Sequence, residues 1–117
     1  MKYLVLLIGD GELPPWSEHT PEEQAAVMQQ FEAFHAAVAE REGVEILAGE
    51  ALAGPTHATT VRTRGGTTTL TEGPYAEVIE GMGGFYLVET PDLDVLLELL
   101  QILPPYDMQL SPAVETS

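Results

Sequence analysis

Two changes of hydrophobic period most constrain this chain. Residues 2–8 (KYLVLLI) form a nearly continuous apolar run, as a sheet strand does. The stretch after Thr20 then places Val27, Phe31, Phe34 and Val38 on one helical stripe. Strand-like residues 44–48 (VEILA) follow, so the first third reads β-α-β. The last third repeats the pattern: 84–89 (GFYLVE) as a strand, a helix from Thr90-Pro91 to about Leu103, and a final strand within 106–115. The run at 2–8 predicts a strand buried on both faces. This order predicts an α+β, ferredoxin-like sandwich in one domain spanning 1–117.

The punctuation is equally informative. Thr20-Pro21-Glu22-Glu23 supplies an N-cap, a proline at the first helical position and a glutamate three residues after the cap. Gly43 ends that helix. Gly65-Gly66 separates residues 58–64 (ATTVRTR) from 67–72 (TTTLTE), giving the two positive φ angles of a type I′ hairpin turn. The hairpin is thus an insertion between the two βαβ-like halves. A two-residue turn sets Arg62 opposite Thr69 and Glu72 opposite Thr59, so Arg62 and Glu72 point to opposite faces.

Charge narrows the function classes. Nineteen acids face four bases (Lys2, Arg41, Arg62 and Arg64), a net charge of −15, and no base lies beyond Arg64. Such a surface repels phosphate backbones, so nucleic-acid or anionic-membrane partners are not expected. The acids serve solubility, or they attract a cationic ligand or a basic protein partner. With no cysteine there is no disulfide, thiolate metal site or thiol nucleophile. The apolar start is too short to span a membrane and shows no small-residue cleavage site, so a cytoplasmic location is expected.

Four stretches, taken in order, carry a resemblance: MKYLVLLIGDG, GEALAGPTHATTVRTRGG, TLTEGPYAEVIEGMGGFYLVE and TPDLDVLLELL. Together they resemble the DGPF branch of the YCII-related family. The naming motif Asp-Gly-Pro-Phe-Ala-Glu stands here as Glu72-Gly73-Pro74-Tyr75-Ala76-Glu77, and Ile79 occupies a position where the family often has lysine. The resemblance implies a homodimeric α+β barrel, two ferredoxin-like sheets packed face to face. It implies no single activity. The wider superfamily resembles lyases and dehydrochlorinases with a His-Asp pair, which has no clear counterpart here. Some DGPF proteins are encoded beside sigma factors.

The candidate residues follow. Glu72, beside Gly73-Pro74, is a candidate acid-base group, with His57 as a base that the hairpin brings near it. The alternative is a turn acid capping the loop. Arg62 is a candidate clamp for an anionic ligand, or an ion-pair partner on the sheet face. Tyr75 and Glu77 are candidate ligand contacts, or a core aromatic and a solvated acid. Trp16, in the Pro14-Pro15 loop, reads as a lid, a dimer anchor or a plug at the barrel end. His19, His35 and His57 lack metal-ligand spacing, and neither glycine cluster has a phosphate-loop pattern, so no metal or cofactor is expected. Leu93, Leu96, Leu97, Leu100 and Leu103 share the second helix with Val95, Leu99 and Ile102, which predicts cover from a second side: another subunit or the last strand. Three functions are therefore expected in competition: a dimeric small-molecule-binding or regulatory module, a lyase or isomerase, and a protein-interaction partner linked to sigma-factor regulation.

Overall fold

The computed structural model describes residues 1–11, 13–54, 57–73 and 83–114. Its elements are β1 (Lys2–Gly9), α1 (Pro21–Glu40), β2 (Glu45–Ala51), β3 (Thr59–Arg64), β4 (Thr67–Glu72), β5 (Gly84–Glu89), α2 (Leu93–Leu100) and β6 (Asp107–Pro112). Four strands form one antiparallel sheet in the order β2-β5-β1-β6, while β3 and β4 pair separately. The fold is α+β, and this strand order is consistent with a ferredoxin-like sandwich.

Local chemistry explains the element boundaries. The Thr20 hydroxyl accepts from the Glu23 amide at 3.1 Å, and the Glu23 carboxylate accepts from the Thr20 amide at 3.0 Å. This reciprocal box satisfies two donors that a helix start leaves orphaned. The second helix begins later than the Thr90-Pro91 pair predicts. Thr90 is buried; its amide donates to the Met1 carbonyl, and Asp92 is the N-cap, accepting from the Val95 amide. At the hairpin turn Gly65 and Gly66 have φ of 57° and 81°, and Arg62 pairs with Thr69 and Thr59 with Glu72, as the turn length dictates.

The expectation that residues 2–8 are buried on both faces does not hold. Tyr3, Val5 and Leu7 are buried with Tyr86 and Val88 against Phe34, Val38, Leu96, Leu99 and Leu100. The alternate row, Leu4 and Leu6 with their neighbours Leu87 and Phe85, is only half-buried. Both helices thus pack on one sheet face, because period-2 alternation sends the other row away from them. Helix α2 ends at Leu100, short of the expected Leu103; its Leu96, Leu99 and Leu100 enter the core, Val95 and, beyond the helix, Ile102 pack at its margin, and Leu93 and Leu97 stay exposed.

Strand β2 carries one extra residue. Ile46 pairs with Val88, yet Ala48 pairs with Leu87, so Leu47 forms a bulge. Gly49 consequently meets Tyr86, whose hydroxyl shares a 2.8 Å hydrogen bond with His35 Nε2.

Candidate functional site

A cavity of about 770 Å³ lies between the first half of α1, the loop leaving β1, and the ends of β1 and β2. Val27, Met28 and Phe31 come from α1, Leu7 and Gly9 from β1, and Ala51 and Leu52 from the end of β2. Asp10, Leu13, Pro15 and Trp16 come from the loop; Gly54, Gly83 and Tyr106 complete the lining. The walls are mostly apolar, with few polar groups, as small-molecule sites commonly are.

The loop is fixed at several points. Gly11 has φ of 63°, and a β-carbon there would overlap the Pro105 carbonyl, so the chain passes close to the residues before β6. The Leu13 amide donates to the Asp10 carbonyl at 3.0 Å. Trp16 opens a short 3-10 turn (Trp16–Glu18); its ring lies 5.5 Å from that of His19, and the Gln24 side-chain Nε2 donates to its carbonyl. His19 Nε2–H donates to the Pro14 carbonyl at 3.0 Å. Trp16 remains 47% exposed at the margin of the cavity.

Two ionisable side chains lie among the described lining residues, Asp10 and Tyr106, and no base does. Burial raises the Tyr106 pKa above its ordinary value, and the nearby Asp10 carboxylate raises it further. The phenol is therefore a neutral hydroxyl at physiological pH, with its ring 6.1 Å from Phe31. The site offers a hydroxyl, a carboxylate and aromatic surface. Such a set suits hydrogen bonding and cation recognition.

Among the described residues, His57, Arg62 and Glu72 are not part of this cavity's lining, whereas Trp16 is. His57 and Glu72 sit at the same end of the hairpin, since Glu72 pairs with Thr59. Both are exposed, and neither side chain has a hydrogen-bond or ion-pair partner among the described residues. Arg62 is on the exposed hairpin and is not among the cavity's described lining. Gly73 donates to the Ala58 carbonyl at 2.7 Å and accepts from the Thr60 hydroxyl at 2.8 Å, which ties the loop start to β3. Tyr75 and Glu77 lie outside the described residues. Among the described residues no group of His, Asp or Glu could hold a metal ion, and no helix is long and apolar enough to cross a membrane. Sequence reasoning missed Asp10, Met28 and Tyr106; the proline-rich loop around Trp16 was the available signal.

A four-stranded antiparallel sheet backed by two helices, with an inserted hairpin and a side cavity, defines a small α+β domain. The YCII-related domain profile matches residues 1–114, and the chain belongs to that family. No curated protein matches it closely enough to count as a relative.

Proposed function

We propose that the protein is a dimeric small-molecule-binding module of the DGPF type, taking an apolar ligand with a neutral or cationic polar end. The observation carrying this reading is the 770 Å³ cavity, whose described lining holds Asp10 and Tyr106 but no base. An anionic ligand would meet a carboxylate and a net charge of −15. The half-buried row of Leu4, Leu6, Phe85 and Leu87 supports a dimer formed sheet face to sheet face, since a second copy would complete its burial.

Trp16 is the single tryptophan, so intrinsic fluorescence reports on the cavity margin directly. Titration with 4-phenylbutylamine, 4-phenylbutan-1-ol and 4-phenylbutanoate tests both halves of the reading. Saturable emission changes are expected for the amine and the alcohol, with the carboxylate at least about tenfold weaker. Asp10→Asn should abolish the advantage of the amine over the alcohol. Absence of saturable change with all three, together with no thermal stabilisation, would refute the binding reading. A preference for the carboxylate would refute its charge assignment alone.

The lyase or isomerase reading draws on the shared location of His57 and Glu72 at one hairpin end. It requires loss of turnover in Glu72→Gln with the fold retained.

A further inference from the structure

Among the described residues the β3–β4 hairpin pairs only with itself, and it differs from the sandwich in charge. An isolated two-stranded ribbon is marginal in water. Here Val61 and Leu70 face each other in register yet are 60% and 71% exposed. Arg62 and Arg64 occupy the opposite face. Residues 59–72 contain those two arginines and Glu72, a net +1; with −15 for the whole chain, the remainder carries −16. The molecule measures 50 × 45 × 18 Å, with a radius of gyration of 16.3 Å, where a compact chain of this length would have roughly 13 Å.

The complementary surface is on the chain itself. Strand β2 is the outer strand of the four-stranded sheet, so one edge of its backbone has no partner strand among the described residues. Such an edge is a template for another strand. Glu45 and Glu50 pair with Glu89 and Phe85, which puts them on the sheet face away from the helices, and Leu47 and Leu52 are exposed along the same stretch.

We propose that the hairpin is an arm that lies edge-on along β2 of a second copy of this chain. Its arginine face then continues the partner's open sheet face, and Arg62 and Arg64 meet carboxylates of the Glu45 and Glu50 positions. Main-chain hydrogen bonds supply attachment and the charge match sets which face is up. This deepens the dimer in the proposed function, by adding an arm contact to the face-to-face packing.

The test is sedimentation equilibrium at fixed salt on the full chain, with circular dichroism confirming the fold of each variant. The double variant Arg62→Glu/Arg64→Glu should weaken the dimer by about tenfold or more. Adding Glu45→Arg/Glu50→Arg to the same chain should restore it. Hydrogen exchange at β2 amides should accelerate in the double variant and slow again in the quadruple one. An unchanged dissociation constant in the double variant overturns the arm, as does a quadruple variant with no recovery. Leu87→Arg separates the two contacts. If it yields monomer while the arm variant dimerises normally, the face-to-face reading stands and the arm falls. A wild-type chain that is monomeric at every concentration refutes both.

Discussion

Gly49→Ala is a small change with a large expected cost. A β-carbon at Gly49 would lie 2.6 Å from Tyr86 Cδ1, 3.0 Å from Cε1 and 3.2 Å from the Phe85 carbonyl oxygen. Comfortable carbon contacts begin near ~3.5 Å, so the Tyr86 ring has to retreat. It has little room: the ring is buried, it lies 5.3 Å from Phe34 and 5.6 Å from His35, and its hydroxyl is held by His35. Overpacking of this kind costs about 1–3 kcal/mol, and a stretched hydrogen bond adds up to about 1 kcal/mol. Unfolding entropy scales with chain length so that 1 kcal/mol corresponds to about 4 °C here, and the variant should melt about 4–16 °C lower. The assay is calorimetry at one fixed protein concentration, because the proposed dimer would make the melting temperature concentration-dependent. A double-mutant cycle isolates the cause. In a Tyr86→Leu background the same Gly49→Ala change should cost less than about 0.5 kcal/mol, a coupling of about 2 kcal/mol. A Gly49→Ala protein that melts within about 1 °C of wild type, or equal losses in both backgrounds, would refute the reasoning.

Three further outcomes follow from single side chains. Thr20→Ala removes the N-cap acceptor and should cost about 1 kcal/mol, read as a shifted urea midpoint. The Thr20 backbone and side-chain hydrogen bonds lower the Glu23 pKa, so its stabilising contribution is present above 4.5 and is lost as pH falls through the folded value; Glu23→Gln should flatten that acid limb. Burial raises the pKa of Tyr86 and Tyr106 above 10.0. Their contribution is therefore complete below the unfolded value and is lost as pH rises through the folded ones, so Tyr86→Phe should lose less stability than wild type between pH 9 and about 12.

Features that depend on neighbours in sequence were legible. The Thr20-Pro21-Glu22-Glu23 cap, the Gly65-Gly66 turn and the opposition of Arg62 to Thr69 each follow from a few adjacent residues. Features that depend on convergence were not. A run such as KYLVLLI looks the same whether both faces are covered or one, and only packing distinguishes Leu4 and Leu6 from Tyr3, Val5 and Leu7. Thr90-Pro91 marks a helix start, but the pull of Met1 on the Thr90 amide moves the cap to Asp92. Asp10 and Tyr106 lie almost a hundred residues apart and meet because Gly11 lets the loop pass against Pro105. No spacing rule connects them. Titratable groups near a turn, such as Glu72, His57 and Arg62, are visible in one dimension; a cavity such as the one beside Phe31 is not.

The bulge at Leu47 decides more than local twist. Counting along β2 without it, Ala48 would stand opposite Tyr86, Gly49 opposite Phe85 and Glu50 opposite Gly84. The side chain beside the tyrosine ring would then carry a methyl group, and the Glu50 carboxylate would turn toward the helices. One inserted residue works as a parity switch, assigning glycine to the crowded place and charge to the open one. Deleting Leu47 would therefore leave Ala48 opposite Leu87 and Gly49 opposite Tyr86, whereas a change that drew Leu47 into the ladder would exchange the faces of every residue that follows.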